Sequence, residues 1–162
     1  AAAVAALGTI VFLNKQLSEQ KKQTSFLLGD AQPTMDIAYD VEDPELLVVR
    51  IVNWNRRGIL LIMLDVKGLG DAEWGLVETK LNDQIVKDGK RTASQRYLRG
   101  WENRSGAPAT LQWKIAASRD NKIIKEWPKE TVVRAGIHLY DEKPRRITLK
   151  SHLYPDDTDF PD

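Results

Sequence analysis

The strongest signal in the chain is hydrophobic alternation. Residues 46–67 read LLVVRIVNWNRRGILLIMLDVK, two apolar runs divided by Asn55, Arg56, Arg57 and Gly58. Leu47, Val49 and Ile51 fall on one side of an extended chain, and Leu46, Val48, Arg50 and Val52 on the other. Beyond Gly58, Leu60, Ile62, Leu64 and Val66 make one apolar face. Ile59, Leu61 and Met63 begin a second, which turns polar at Asp65 and Lys67. The short charged break predicts a central β-hairpin whose strands are covered on both faces for part of their length. A membrane span is excluded here, because Arg50, Asn53, Asn55, Arg56 and Arg57 sit mid-stretch and each is costly in lipid.

The same period of two recurs along the chain. Residues 34–41 alternate loosely, and Asp43-Pro44 turns the chain away from helix. Leu111, Trp113 and Ile115 alternate with Gln112 and Lys114, and residues 122–127 form a short strand closed by Pro128. Val133, Ala135, Ile137 and Leu139 share a face, and Ile147 and Leu149 continue the pattern after a break at residues 141–144. Between these lies an ambiguous stretch. Trp74, Val77, Leu81 and Ile85 are at helical spacing, which favours an amphipathic helix over about residues 72–87. The alternative is two strands turning at Asp88-Gly89. About seven short strands with tight turns predict a mainly β fold, an immunoglobulin-like antiparallel β-sandwich over residues 31–154. Without cysteine, this rests on pattern alone.

The N-terminal residues 1–13 (AAAVAALGTIVFL) carry no charge and are apolar all round. As a helix they rise roughly 20 Å against a hydrocarbon core of about 30 Å, so they are expected to be the C-terminal part of a transmembrane helix. Residues 14–30 are polar and helix-forming, a stalk bearing Lys15, Lys21 and Lys22 against Glu19. Lysines just beyond a span favour a cytoplasmic placement of the domain on their C-terminal side. The acidic residues 155–162 read as a loose tail.

Composition narrows the chemistry. The 162 residues have a formal charge of +1, charged residues at 29%, no cysteine and two histidines. That balance does not point to a nucleic-acid binder, and the missing cysteines exclude disulfides and thiolate sites. The main surface cluster is Lys87, Lys90, Arg91, Arg96, Arg99 and Arg104 with Tyr97 and Trp101 between them. Arginine beside aromatics can grip anions or an acidic partner, although β edges also carry cations merely for solubility. Trp54, Arg56 and Arg57 form a second candidate contact, with a core-capping tryptophan as the plainer reading. His138 and His152, with Asp141 or Glu142, lack any ligand spacing for zinc. The tail's Asp156, Asp157, Asp159 and Asp162 lack the glycine and glutamate of a calcium loop. No phosphate-cradling glycine loop or nucleophile elbow occurs.

The sequence therefore predicts a non-catalytic, single-pass membrane protein without cofactor or metal. Its sandwich is expected to serve as an accessory subunit contacting other proteins of a membrane assembly, with lipid engaged through the N-terminal helix. The rival class is a tethered sensor holding an anionic ligand, a lipid headgroup or nucleic acid on the basic-aromatic stretch. A hydrolase is the third.

Overall fold

The computed structural model describes residues 16–24, 31–87, 95–102, 106–140 and 144–154. Residues 16–24 are helical and exposed at every position. Ten strands follow: Thr34–Tyr39 (β1), Leu47–Asn53 (β2), Ile59–Lys67 (β3), Glu73–Leu81 (β4), Gln84–Ile85 (β5), Arg96–Leu98 (β6), Ala109–Arg119 (β7), Lys122–Ile123 (β8), Val132–Leu139 (β9) and Arg145–His152 (β10). They form two sheets, antiparallel at every pairing. Sheet I has the order β1-β2-β7-β4-β5 with β8 on β7, and sheet II the order β10-β9-β3-β6. Their inner faces share one core, so the fold is a mainly β sandwich. Among the described residues no helix is long and apolar enough to cross a membrane. Residues 1–13, read as the end of a span, lie outside them, as does the acidic tail.

The expected central hairpin is not formed. β2 pairs with β1 and β7 in sheet I, and β3 pairs with β9 and β6 in sheet II. Residues 54–58 therefore make an arch from one sheet to the other. This explains the apolar richness on both sides of the break. Leu47, Val49 and Ile51 of β2 and Ile59 and Leu61 of β3 are all fully buried, facing each other across the core. Beside them, Leu111, Trp113 and Ile115 of β7 in sheet I and Val133, Ile137 and Leu139 of β9 in sheet II complete it.

The phase of β3 also differs from the alternation in the sequence. A bulge between Leu61 and Met63 puts the extra residue Ile62 opposite no partner, and Met63 then pairs with Gly136. Past the bulge, Leu64 and Val66 turn inward and Met63 outward. Gly136 suits this arrangement, because a Cβ there would press on the Met63 side chain. The helix expected over residues 72–87 is replaced by β4 and β5, joined by Asn82 and Asp83, both with positive φ. Asp88-Gly89, the turn of the two-strand alternative, lies outside the described residues. β4 carries its own bulge, between Leu76 and Glu78. Its inward residues thus shift phase from Trp74 and Leu76 to Thr79, and Val77, Leu81 and Ile85 of the expected helical stripe stay exposed.

Candidate functional site: the arch end and the outer face of sheet II

Buried asparagines hold the arch. The fully buried Asn53 ends β2, and its Nδ2 donates to the carbonyls of Arg57 (2.9 Å) and Arg99 (3.0 Å). Its Oδ1 accepts the Asn55 amide (3.1 Å), and the Asn55 Oδ1 accepts the Arg57 amide (2.9 Å). Asn55 Nδ2 reaches the carbonyl of Ala31 (3.1 Å), and its own carbonyl accepts the Trp101 amide (2.8 Å). Side-chain amides here replace the ladder partners that a chain leaving its sheet gives up. Gly100 lets segment 99–102 lie against the arch, since a Cβ there would meet the Arg56 carbonyl.

The two clusters separated in sequence are thereby brought together. Trp54 and Trp101 meet edge to face, with ring centroids 5.8 Å apart. Trp54 Nε1 donates to the Thr34 hydroxyl (2.9 Å) and Trp101 Nε1 to the Gly106 carbonyl (3.2 Å). Both rings are half-buried, so each partly caps the end of the sandwich. Arg56 and Arg99 are exposed beside them and Arg57 is half-buried. Arg96 does not join the exposed group: it pairs with Leu61, its Nε is buried, and it points to the face opposite Tyr97. Arg91, Arg104 and Lys90 lie outside the described residues.

Tyr97 belongs to a different surface, the outer face of sheet II. Its ring lies over Gly58, where any Cβ would collide with it. Leu60 lies between Tyr97 and His138, and His138 pairs with Arg146. The His138 and Tyr140 rings stack at 5.2 Å and 5°, and the Tyr97 and Tyr140 centroids are 6.4 Å apart. Tyr97, Tyr140 and Met63 remain 56%, 46% and 45% exposed, and the sequence hides Met63 because the β3 bulge reverses its phase. Tyr140 is legible, two residues after His138 on the same face.

The outer face of sheet I is of another kind. Asp36 pairs with Arg50 across β1 and β2, and Gln112 and Lys80 continue the row. Lys114 Nζ contacts Asp40 Oδ2 at 2.6 Å, and Lys80 contacts Glu78 at 3.5 Å. The Lys114 hydrogen bond holds the Asp40 carboxyl below its ordinary value, against the opposing effect of burial. The same bond raises Lys114. This face neutralises its own charges.

His138 and His152 do not converge. Their register positions, opposite Arg146 and Val132, are six residues apart on the paired strands, about 20 Å at the rise of a strand. Among the described residues no three His, Cys, Asp or Glu side chains are grouped to hold a metal ion. Asp141, Glu142 and the tail aspartates lie outside them. No protein-family model matches the chain, and no curated protein matches it.

Proposed function

We propose that this chain is a non-catalytic contact domain with an immunoglobulin-like sandwich, held at a membrane by its apolar N-terminal segment and binding other protein subunits. Strand orders β1-β2-β7-β4 and β10-β9-β3 support the immunoglobulin-like reading, since they match the two sheets of that fold when taken in chain order. The order of β4 before β6 is its departure from the variable-type pattern, in which the strand added to the second sheet comes first.

The observation that carries the function is the contrast between the two outer faces. Both faces pair charges internally, but among the described residues the large apolar side chains that sheet I exposes are aliphatic, among them Val77, Ile85 and Ile123. Sheet II instead exposes Tyr97 and Tyr140, with ring centroids 6.4 Å apart, and Met63 farther along the same face. Exposed tyrosine offers large contact area at low entropic cost and is a typical interface anchor, and methionine adapts its shape to a partner. Arg146, exposed beside His138, gives the patch a cationic rim suited to a partner carrying a carboxylate. The test is a photo-reactive side chain placed at Tyr140 or at Gln112 in the full chain within native membranes. Discrete protein adducts are expected from position 140 and not from position 112. Equal labelling from both, or none from position 140, overturns the reading.

A further inference from the structure

The sandwich is polar along its long axis, and its basic end is the end at which the N-terminal segment enters. β1 begins there: Thr34 accepts from Trp54, and the Ala31 carbonyl accepts from Asn55 in the arch. β10 likewise runs away from the arch and ends at His152, opposite Val132 at the far end. Among described residues, the far-end loops 40–46, 68–72 and 120–131 hold eight Asp or Glu against three Lys, with Lys67 and Arg119 closing β3 and β7 beside them. At the arch end, loops 54–58, 82–83 and 99–102 hold Arg56, Arg57 and Arg99 against Asp83 and Glu102, and Arg145 and Arg146 open β10 beside them.

From this polarity we infer that the arch end docks on an anionic lipid surface, with Arg56 and Arg99 toward headgroup phosphates or carboxylates and Trp54 and Trp101 at the interfacial level. Each element of the match is physical. Arginine forms forked hydrogen bonds to phosphate and carboxylate. Tryptophan, with an apolar ring and a polar N–H, partitions to the headgroup region. The acidic far end is repelled by the same surface, so orientation follows from the field as well as from contact. The connection permits it on length: six residues separate the described helical residues from Ala31, and six residues reach at most about 20 Å. Anchoring keeps the arch end at high effective concentration over the bilayer, so weak contacts suffice. The inference rests on residues 1–13 belonging to a membrane anchor, and it is separate from the protein contact assigned to sheet II.

The chain has no cysteine, so a single probe can be placed without background. The full chain, as Glu102→Cys or Glu126→Cys, is labelled with an environment-sensitive fluorophore. It is then bound to vesicles of phosphatidylcholine alone or with phosphatidylserine added, and lipid-borne quenchers report proximity. With phosphatidylserine at low salt the probe at 102 should be quenched and the probe at 126 should not. High salt, or the exposed pair Arg56→Glu and Arg99→Glu, should abolish the difference. On a scale of about fivefold in partitioning per basic residue near an anionic surface, the double reversal should cost well over tenfold. Far-UV circular dichroism confirms that the reversed chain is folded. Quenching at 102 that ignores lipid charge and salt overturns the inference, as does stronger quenching at 126. Protection of position 102 by a protein from native membranes, with no lipid-charge effect, also overturns it and gives the arch end to a protein partner. Flotation with pure phosphatidylcholine judges the anchor separately, because the charge contacts of the arch end contribute nothing there. Loss of that flotation with charge-dependent quenching intact removes the anchor and keeps the surface.

Discussion

At the residue scale, stability is concentrated in a few buried polar and aromatic groups. Asn53 is fully buried and donates to two carbonyls from different segments. Asn53→Ala takes the shared donor from both part-buried bonds and should cost about 1–3 kcal/mol by urea unfolding. Asn53→Asp should be worse than alanine, since it sets a carboxylate against the same two carbonyls. Trp113 is the largest fully buried side chain, and its Nε1 has no hydrogen-bond partner among the described residues. Trp113→Ala should therefore lose about 3–5 kcal/mol, and Trp113→Phe clearly less than half of that, because it also removes an uncompensated N–H. The Asp40–Lys114 pair makes stability depend on pH at both extremes. Asp40 has a lowered pKa when folded, so its contribution is complete above the ordinary value of 3.8 and is lost as pH falls through the folded value. Lys114 is raised, so its contribution is complete below 10.5 and is lost as pH climbs through its own folded value. Lys114→Met should move the Asp40 titration, followed by NMR, toward higher pH and raise the midpoint of acid unfolding.

At the element scale, two bulges decide what can be read in advance. Strands with unbroken alternation, β7 and β9, are legible from the period of two, down to which residues face the core. β3 and β4 are not, because each inserts one residue and reverses its phase midway. In β3 the buried set is Ile59, Leu61, Leu64 and Val66, a two-three-two spacing that simple alternation assigns to opposite faces. In β4 and β5 the stripe Trp74, Val77, Leu81 and Ile85 passes for a helix, although only Trp74 of the four packs against the core. The arch escapes sequence reading for a related reason. A short charged break between apolar runs looks alike whether the second strand pairs with the first or crosses to the other sheet. What distinguishes the crossing is Asn53-x-Asn55, two amides able to satisfy a backbone that turns out of its sheet, together with a distant glycine at 100. Gly100→Ala drives a Cβ into the Arg56 carbonyl, so the backbone itself must move. A loss of about 1–3 kcal/mol is expected, with faster hydrogen exchange confined to residues 54–58 and 98–102.

At the scale of the whole molecule, the mainly β class and the two-sheet sandwich follow from pattern, whereas the placement of the candidate residues requires the topology. Nothing local announces that Trp54 and Trp101 will touch, or that residues 96–98 pair as a strand and so send Arg96 and Tyr97 to opposite faces. The arch has a consequence for how the chain acquires its structure. Because β2 and β3 do not pair with each other, the most hydrophobic stretch cannot complete its sheets locally. Leu47 pairs with Ile115 and Leu61 with Ile137. During synthesis that stretch emerges with its principal strand partners still to be made, and closing such long loops slows the search. Refolding should accordingly be slow for a domain of this size. A nascent chain stalled before β7 should expose β2 and β3 to chaperones or aggregation, until release of residues through 139 lets both sheets form together.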